Sequence, residues 1–390
     1  MPDPYALTER VFLQAARQMS VEQLAGQLLL IGLEETRTAV PLTTLSPEFA
    51  EQLRSLQPGG LILYGGSFQS LDQVNKLVAA AAEELSVAPF VGVDYEGGLV
   101  SRLTDTGGLP ATVIPAARRI GLRYEQNQIT VEMVEALGRV MGAELRAVGA
   151  NMNFAPVADV DPMEGAGAIG RHGRTFSRDP QIVGEIAAAL TRGLQEQGVA
   201  AVVKHFPGHG AVVDDSHERL PLLDAALEII VERDLAAFES VFAANPEAIM
   251  TAHLSVPALD PTLTPATVSA PILTGVAREQ FHYDGLIITD ALNMRAMTEY
   301  APEADLVVRA IDAGADMILK PVDPAGARDA LVAAVAGGRL SRERLERSVV
   351  RVLRSKVRLG ILRPFGSQPG GAMGVPEHRA VIDAILGERE

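Results

Sequence analysis

Eight short apolar runs, each ended by a polar residue or a glycine, recur along the 390 residues of this chain. They are Leu28 to Leu33, Gly60 to Tyr64, Phe90 to Val93, Met152 to Val157, Ala200 to Val203, Ala248 to Thr251, Leu286 to Thr289 and Met317 to Leu319. Continuous runs rich in Val, Ile and Leu are what strands buried on both faces require, as in a parallel sheet covered by helices. Between most of them lie stretches with apolar residues at helical spacing, namely Leu71 to Leu85, Val131 to Val148, Ile182 to Gln197, Ala225 to Ala244 and Asp305 to Ala313. Strand and helix alternate over roughly 300 residues without a linker, which predicts an α/β fold built as a single (β/α)8 barrel of the TIM type. The first strands leave room for irregularity. The expected boundaries are a leading helix or extension over 1–20, the barrel over 20–362, and an irregular tail rich in Gly and Pro over 363–390.

Composition removes several classes of function. Lys and Arg number 34 against 49 Asp and Glu, a formal charge of −15, so a phosphate backbone is not the expected partner and nucleic acid is set aside. The chain has no cysteine, which excludes disulfides, thiolate metal sites and thiol nucleophiles. No window reaches membrane-spanning length, and residues 1–17 lack the apolar centre of a signal peptide. A cytoplasmic monomer is the expectation.

The chemistry concentrates at the ends of the apolar runs. Asp94, Asp159, Lys204 with His205, His253, Asp290 and Lys320 each follow such a run, on the face where barrels of this type carry their active sites. Asp159 and Lys320 read as turn or cap residues. Lys204, His205 and Asp290 do not, because a Lys-His pair is a poor cap and Asp290 ends an unbroken apolar strand. The densest stretch runs from Lys204 to His217, with three imidazoles, one lysine and two carboxylates on a loop broken by Pro207, Gly208 and Gly210. His217 lies two residues after Asp215, so in extended chain both side chains point the same way. A carboxylate on one ring nitrogen fixes the tautomer and raises the basicity of the other, which is the arrangement of a proton donor and acceptor. The arginines of Ser341 to Leu359, a predicted helix capped by Ser341, read as a solvated face.

Three readings follow from these residues. A carboxylate nucleophile, Asp290, with a separate proton donor suits glycoside cleavage through a covalent intermediate and needs neither cofactor nor metal. A second reading gathers His205, His209, His217, His253 and Asp290 around one or two metal ions for hydrolysis. A third is a barrel that binds sugars without turning them over.

The run Lys204-His205-Phe206-Pro207-Gly208-His209-Gly210 followed by Asp215-Ser216-His217 closely resembles glycoside hydrolase family 3, in its β-N-acetylhexosaminidase subfamily. Val93-Asp94-Tyr95-Glu96-Gly97-Gly98 with Arg102, Asn153 to Val160, Arg174-Thr175-Phe176-Ser177, Met250-Thr251-Ala252-His253 and Thr289-Asp290-Ala291-Leu292 with Met294 match in the same order, over roughly residues 20 to 360. Tyr95 stands where that family commonly has Gln, Ala291 where an acidic or aromatic residue often follows, and Ala211-Val212 where Asp-Thr is common. The resemblance implies Asp290 as nucleophile, His217 as acid/base held by Asp215, and Asp94, Arg102, Arg174, Lys204 and His205 as contacts to the terminal sugar. It implies a retaining exo-glycosidase that removes β-linked N-acetylglucosamine from oligosaccharides or muropeptides, with a role in peptidoglycan recycling. A β-glucosidase or a phosphorylase of the same family is the nearby alternative. The loop that carries His217 is expected to close on substrate and to complete the site only then.

Overall fold

The computed structural model describes residues 4–35, 38–362 and 371–387. Eight parallel strands form one sheet: β1 Leu29–Gly32, β2 Gly60–Ile62, β3 Phe90–Val93, β4 Met152–Asn153, β5 Ala200–Phe206, β6 Ala248–Thr251, β7 Leu286–Ile288 and β8 Ile318–Leu319. β8 pairs with β1, and the order then runs through to β7. A lone parallel bridge between Ile288 and Met317 closes the ring, so the barrel has one seam, between β7 and β8. An antiparallel ribbon, Tyr95–Gly97 with Val100–Ser101, rises from the end of β3.

The apolar runs are buried on both faces, as their composition demands, and parity decides which face. Leu30, Ile62, Phe90, Met152, Ala200, Val202, Ala248, Met250, Leu286, Ile288 and Leu319 fill the barrel interior. Their immediate neighbours Leu29, Ile31, Leu61, Val91, Ala201, Val203, Ile249, Ile287 and Ile318 pack outward under the helices. This is the period-two alternation of a strand, here apolar on both sides. Val352 and Leu359, from the helix Arg342–Arg358, complete the interior cluster. From the same helix Lys356 lies fully buried with Nζ 5.3 Å from the centre of the Phe90 ring and 3.3 Å from Gln27 Oε1, and burial pushes its pKa down to about 7.

Several expectations are corrected. Only Met152–Asn153 of the fourth run pairs regularly, with a single further bridge from Val157 to Lys204. The arginines of Arg342–Arg358 are not a solvated face: Arg351 and Arg354 bind Asp284, Arg344 binds the Ala315 carbonyl, and Arg358 pairs with Glu247. The tail is not irregular throughout, because Pro376–Leu386 is a helix. Residues 363–370 lie outside the described residues. The leading segment contains the helix Pro4–Gln18 and then a second, Val21–Gln27, whose Ser20 and Gln23 form a reciprocal cap. Among the described residues no helix is long and apolar enough to cross a membrane.

Side chains supplement the backbone bonds at the seam, such as Thr289 N–H to the Met317 carbonyl at 3.0 Å. Asp316 Oδ2 accepts the Ile287 N–H at 3.1 Å, and Thr289 Oγ1 accepts the Leu319 N–H at 2.9 Å. Asp316 is fully buried and is compensated by Arg278 at 2.5 Å, by Ser348 Oγ at 2.6 Å and by Arg351. Burial raises its pKa, but Arg278, Arg351 and Arg344 outweigh that and hold it below the ordinary carboxylate range. Asp316→Ala should therefore strand buried guanidinium charge and open the seam, costing about 3–5 kcal/mol. Urea unfolding at neutral pH measures it; a loss under about 1 kcal/mol would mean that the seam does not depend on this carboxylate.

Candidate active site

At the carboxyl ends of the strands lies a cleft of ≈ 710 Å³, within the range of small-ligand sites. All eight residues singled out from the sequence line it: Asp94, Arg102, Arg174, Lys204, His205, Asp215, His217 and Asp290. Each reaches the cleft from a different point of the fold, and the reasons are local.

Lys204 and His205 are consecutive in β5, yet both face the cleft. Simple alternation would turn His205 outward. The pairing with β6 jumps from Val203 opposite Ile249 to Phe206 opposite Thr251, so one strand carries an extra residue there, and this bulge turns both polar side chains inward while Phe206 returns to the outer layer. Bulges are a common means of re-aiming a side chain beside an active site.

Lys204 is held by two carboxylates from the ribbon after β3. Its Nζ lies 2.6 Å from Glu96 Oε1 and 3.0 Å from Asp94 Oδ1. Arg174 grips the same Glu96 with two parallel bonds, Nε to Oε2 and Nη2 to Oε1, both 2.8 Å. Two cations and two anions thus interlock across three loops. Burial would raise the Glu96 pKa, but Lys204 and Arg174 push it down to about 2. The same partners raise Lys204 and Arg174 above their ordinary values despite burial. Glu96 was not singled out from the sequence. Its signal was the two-residue spacing from Asp94 on a strand, which puts both carboxylates on one face.

Asp159 is no cap, contrary to expectation. It is completely buried, and its Oδ2 lies 2.6 Å from His205 Nδ1 while its Oδ1 accepts the N–H groups of His205 and His209 at 3.2 and 2.7 Å. Burial is outweighed by His205 and His209, so Asp159 stays below the ordinary carboxylate range. The geometry fixes the His205 proton on Nδ1 and leaves Nε2 as the free acceptor. Lys320 is no cap either: it lines the cleft, pairs with Glu34 at 3.2 Å and lies 4.4 Å above the Tyr64 ring.

Asp290 follows β7. Its Oδ1 accepts the Ala291 N–H at 2.7 Å, and among the described residues Oδ2 accepts no hydrogen bond. Burial raises its pKa, and His253, His205, the Ala291 N–H and Lys204 more than offset that, so it is held below the ordinary range. It is ionised at neutral pH. Below it His253 is fully buried, accepting from Thr267 at Nδ1 (2.7 Å) and donating from Nε2 to the Ala291 carbonyl (3.0 Å). It therefore positions the backbone that carries Asp290.

The Gly-rich loop brings in the remaining pair. His217 Nδ1 lies 2.8 Å from Asp215 Oδ1, which also accepts the His217 N–H at 2.9 Å, while Arg171 binds Oδ2 at 2.8 Å. Burial raises Asp215, but the two His217 bonds and Arg171 bring it down to about 2. Nε2 of His217 is left free, and the side chain is 70 % exposed. The root of the loop is fixed where Gly210 crosses Val160: a side-chain carbon there would come within 1.9 Å of the Val160 carbonyl. Ser216 ties the tip down, through a 3.3 Å contact to His209 Nε2 and a bond from Ala296 N–H at 3.2 Å.

The donor set that a metal site would need is not assembled. Among the described residues no group of three His, Asp or Glu side chains is placed to hold an ion.

Residues 20–355 match the model of the glycosyl hydrolase family 3 N-terminal domain. Beta-hexosaminidase A of Pseudoalteromonas piscicida is 32 % identical; the match takes in 87 % of this chain but 60 % of that protein, so the chain spans less than two thirds of its length. The beta-hexosaminidase of Hydrogenovibrio crunogenus is also 32 % identical, over 80 % of this chain and 84 % of its own. A solved glycoside hydrolase family 3 beta-N-acetylglucosaminidase from Paenibacillus sp. superposes with a TM-score of 0.84 at 33 % identity, covering 94 % of this chain and 68 % of that one.

The Glu96 ion network carries a pH signature. With its pKa depressed from 4.5 to about 2, the stability it contributes is fully present above 4.5 and is lost as the pH falls through about 2. Glu96→Gln should cost about 3 kcal/mol at pH 7, and the gap to the wild type should close toward pH 2. Urea midpoints at both pH values read this out; an equal gap at both would show that Glu96 titrates normally.

Proposed function

Because the chain belongs to glycoside hydrolase family 3, and is a glycosidase with a (β/α)8 barrel, we propose that it removes terminal β-linked N-acetylglucosamine with retention of configuration. One observation carries the reading: an ionised carboxylate with an unengaged oxygen, Asp290, faces the same cleft as an imidazole, His217, whose tautomer is fixed by Asp215.

In the first step Asp290 Oδ2 attacks the anomeric carbon while His217 Nε2 gives its proton to the leaving oxygen, forming a glycosyl ester. The imidazolium this requires is stabilised by Asp215. In the second step the neutral imidazole takes a proton from water, which attacks the same carbon and frees Asp290. A histidine suits the role here, because a second carboxylate beside Asp290 would be driven to a raised pKa by like charge, whereas an imidazolium is favoured there. Asp94, Arg174, Lys204 and His205 bind the sugar hydroxyls, with Arg102 at the rim, and the ion network among them fixes their positions before substrate arrives.

Selectivity for the N-acetyl group is supported by the activities for which the similar proteins are named, the beta-hexosaminidases and the Paenibacillus beta-N-acetylglucosaminidase. A muropeptide substrate, a part in peptidoglycan recycling and a cytoplasmic location extend the same reading. The exposure of His217 and the glycines of its loop support a closure on substrate that brings the imidazole to the leaving oxygen.

Asp290→Ala should lower turnover of nitrophenyl N-acetyl-β-glucosaminide by about 10⁴-fold or more while the protein still unfolds cooperatively. Intact-mass spectra after incubation with a slow fluorinated glycoside should show one sugar attached to the wild type and none to this variant; wild-type rates or an unlabelled wild type would overturn the assignment. His217→Ala should slow substrates with poor leaving groups far more than those with good ones, since a nitrophenolate departs without a proton. Equal losses across the leaving-group series would remove His217 from the acid role.

A further inference from the structure

The last described segment, 371–387, lies beyond the residues that match the family model, yet it binds a buried carboxylate behind the ribbon that carries two cleft residues. Glu144, in the helix Val131–Ala147, is completely buried and collects five donors. Three come from the barrel side: the Tyr95 hydroxyl at 2.8 Å, the Thr112 N–H at 3.0 Å and the Thr112 hydroxyl at 2.5 Å. Two come from the C-terminal segment: the Gly374 N–H and His378 Nδ1, both at 3.0 Å. A carboxylate removed from water costs several kcal/mol unless such donors replace it. Glu144 is charged all the same, because these bonds outweigh the burial and hold its pKa below the ordinary range.

The segment is seated closely enough to deliver those two bonds. Gly374 has φ of 61°, and a side-chain carbon there would come within 2.0 Å of the Pro110 carbonyl. At Gly371 one would meet the Ala143 carbonyl at 2.2 Å. Ile382 and Ile385 are buried in the main core, and Arg123 accepts the far end of the helix by donating to the Leu386 carbonyl at 2.9 Å.

What Glu144 holds on its other side is the backbone between two cleft carboxylates. Asp94 and Glu96 line the cleft, while Tyr95, lying between them on the ribbon, points the opposite way into the core. The single Tyr95 hydroxyl proton is shared between Glu144 and the Thr112 carbonyl, which lies 2.7 Å away, and the Tyr95 backbone is clamped by the Asn153 amide, with both bonds 3.0 Å. Thr112 and its neighbours touch the ribbon again, through the Gly98 N–H to the Ile114 carbonyl at 3.0 Å.

We infer that the C-terminal segment belongs to the substrate-binding apparatus: His378 and Gly374 hold Glu144, and Glu144 through Tyr95 and Thr112 sets the position of Asp94 and Glu96. His378, Glu144 and Tyr95 are positioning residues, since none of them lines the cleft. The inference rests on the proposed function only in taking Asp94, and the Lys204 and Arg174 that Glu96 holds, as sugar contacts.

The test compares His378→Leu, which removes the donor, with His378→Gln, which can restore one, and with Ile385→Ala, which loosens the same helix without touching Glu144. Hydrogen exchange by mass spectrometry reads the ribbon directly and does not depend on any substrate. Exchange across residues 94–102 should accelerate in His378→Leu and not in Ile385→Ala, and KM for nitrophenyl N-acetyl-β-glucosaminide should rise about fivefold at nearly constant kcat, as for one lost hydrogen bond. His378→Gln should return both toward wild type, and His378→Leu should add little to Tyr95→Phe, since the two act through one carboxylate. Should leucine prevent folding, His378→Ala carries the same comparison. Unchanged exchange and KM in the His378 variant, or an equal rise in Ile385→Ala, would reduce the segment to a structural prop. A wild-type chain inert on N-acetylglucosaminides but with ribbon exchange altered as expected would sink the substrate reading and leave the positioning intact.

Discussion

The grip of Lys204 and Arg174 on Glu96 is the interaction on which the cleft depends. Glu96 rises from the ribbon after β3, Arg174 from the loop after β4, and Lys204 from β5, so one buried carboxylate ties together three successive strand ends. A lone buried charge would be untenable, and two cations on a single carboxylate would leave excess charge. Asp94 supplies the fourth member and reaches the cleft with the part of its carboxylate that Lys204 does not use. Buried ion pairs contribute little net stability over well-packed apolar groups. Their use here is positional: the polar groups proposed to meet sugar hydroxyls are locked by one another, so the ordering cost is met during folding rather than during binding.

The half of the cleft proposed to transfer protons is built on the opposite plan. Asp215, His217 and Arg171 are joined by direct bonds, but this small unit sits on a loop whose fixed points are Gly210 against Val160 and the two Ser216 contacts. His217 is largely exposed, whereas Lys204 and Glu96 are buried. A buried binding floor beside an exposed imidazole fits the two-step reaction proposed above, in which the acid approaches the leaving oxygen first and makes way for water second.

The barrel was legible because its physics is simple. A strand covered on both faces must be apolar throughout, and each of the eight runs holds a strand of the observed sheet. The fourth was overextended, since beyond Asn153 only Val157 pairs, in a single bridge to Lys204, while the rest of Phe154 to Val157 is buried by packing. Residues of the site were legible where they ended a strand or sat in a dense polar run. Asp159 and Lys320 were misread because a polar residue after a strand is most often a cap, and only tertiary structure brings His205 onto Asp159. Glu144 and His378 were invisible for a stronger reason. They are 234 residues apart and meet only once the C-terminal helix is docked, and a short helix after a Gly-rich stretch gives no sign of what it will touch.

The proposed nucleophile and barrel closure meet at the seam. β7 and β8 share a single regular bridge, and Asp290 begins two residues beyond it. A nucleophile needs a backbone that does not drift, and a weakly paired strand end is a poor place to find one. The structure compensates from both sides. Asp316 and Thr289 supplement the ladder bonds with side-chain acceptors, and the Leu292 N–H bonds the Leu319 carbonyl at 3.0 Å beyond the last paired residue. His253 then fixes the Ala291 carbonyl from β6, which places the Ala291 N–H on Asp290 Oδ1. These bonds hold the backbone beside the seam and engage one oxygen of Asp290, so a weakly paired strand edge and the proposed nucleophile can share a strand without either unsettling the other.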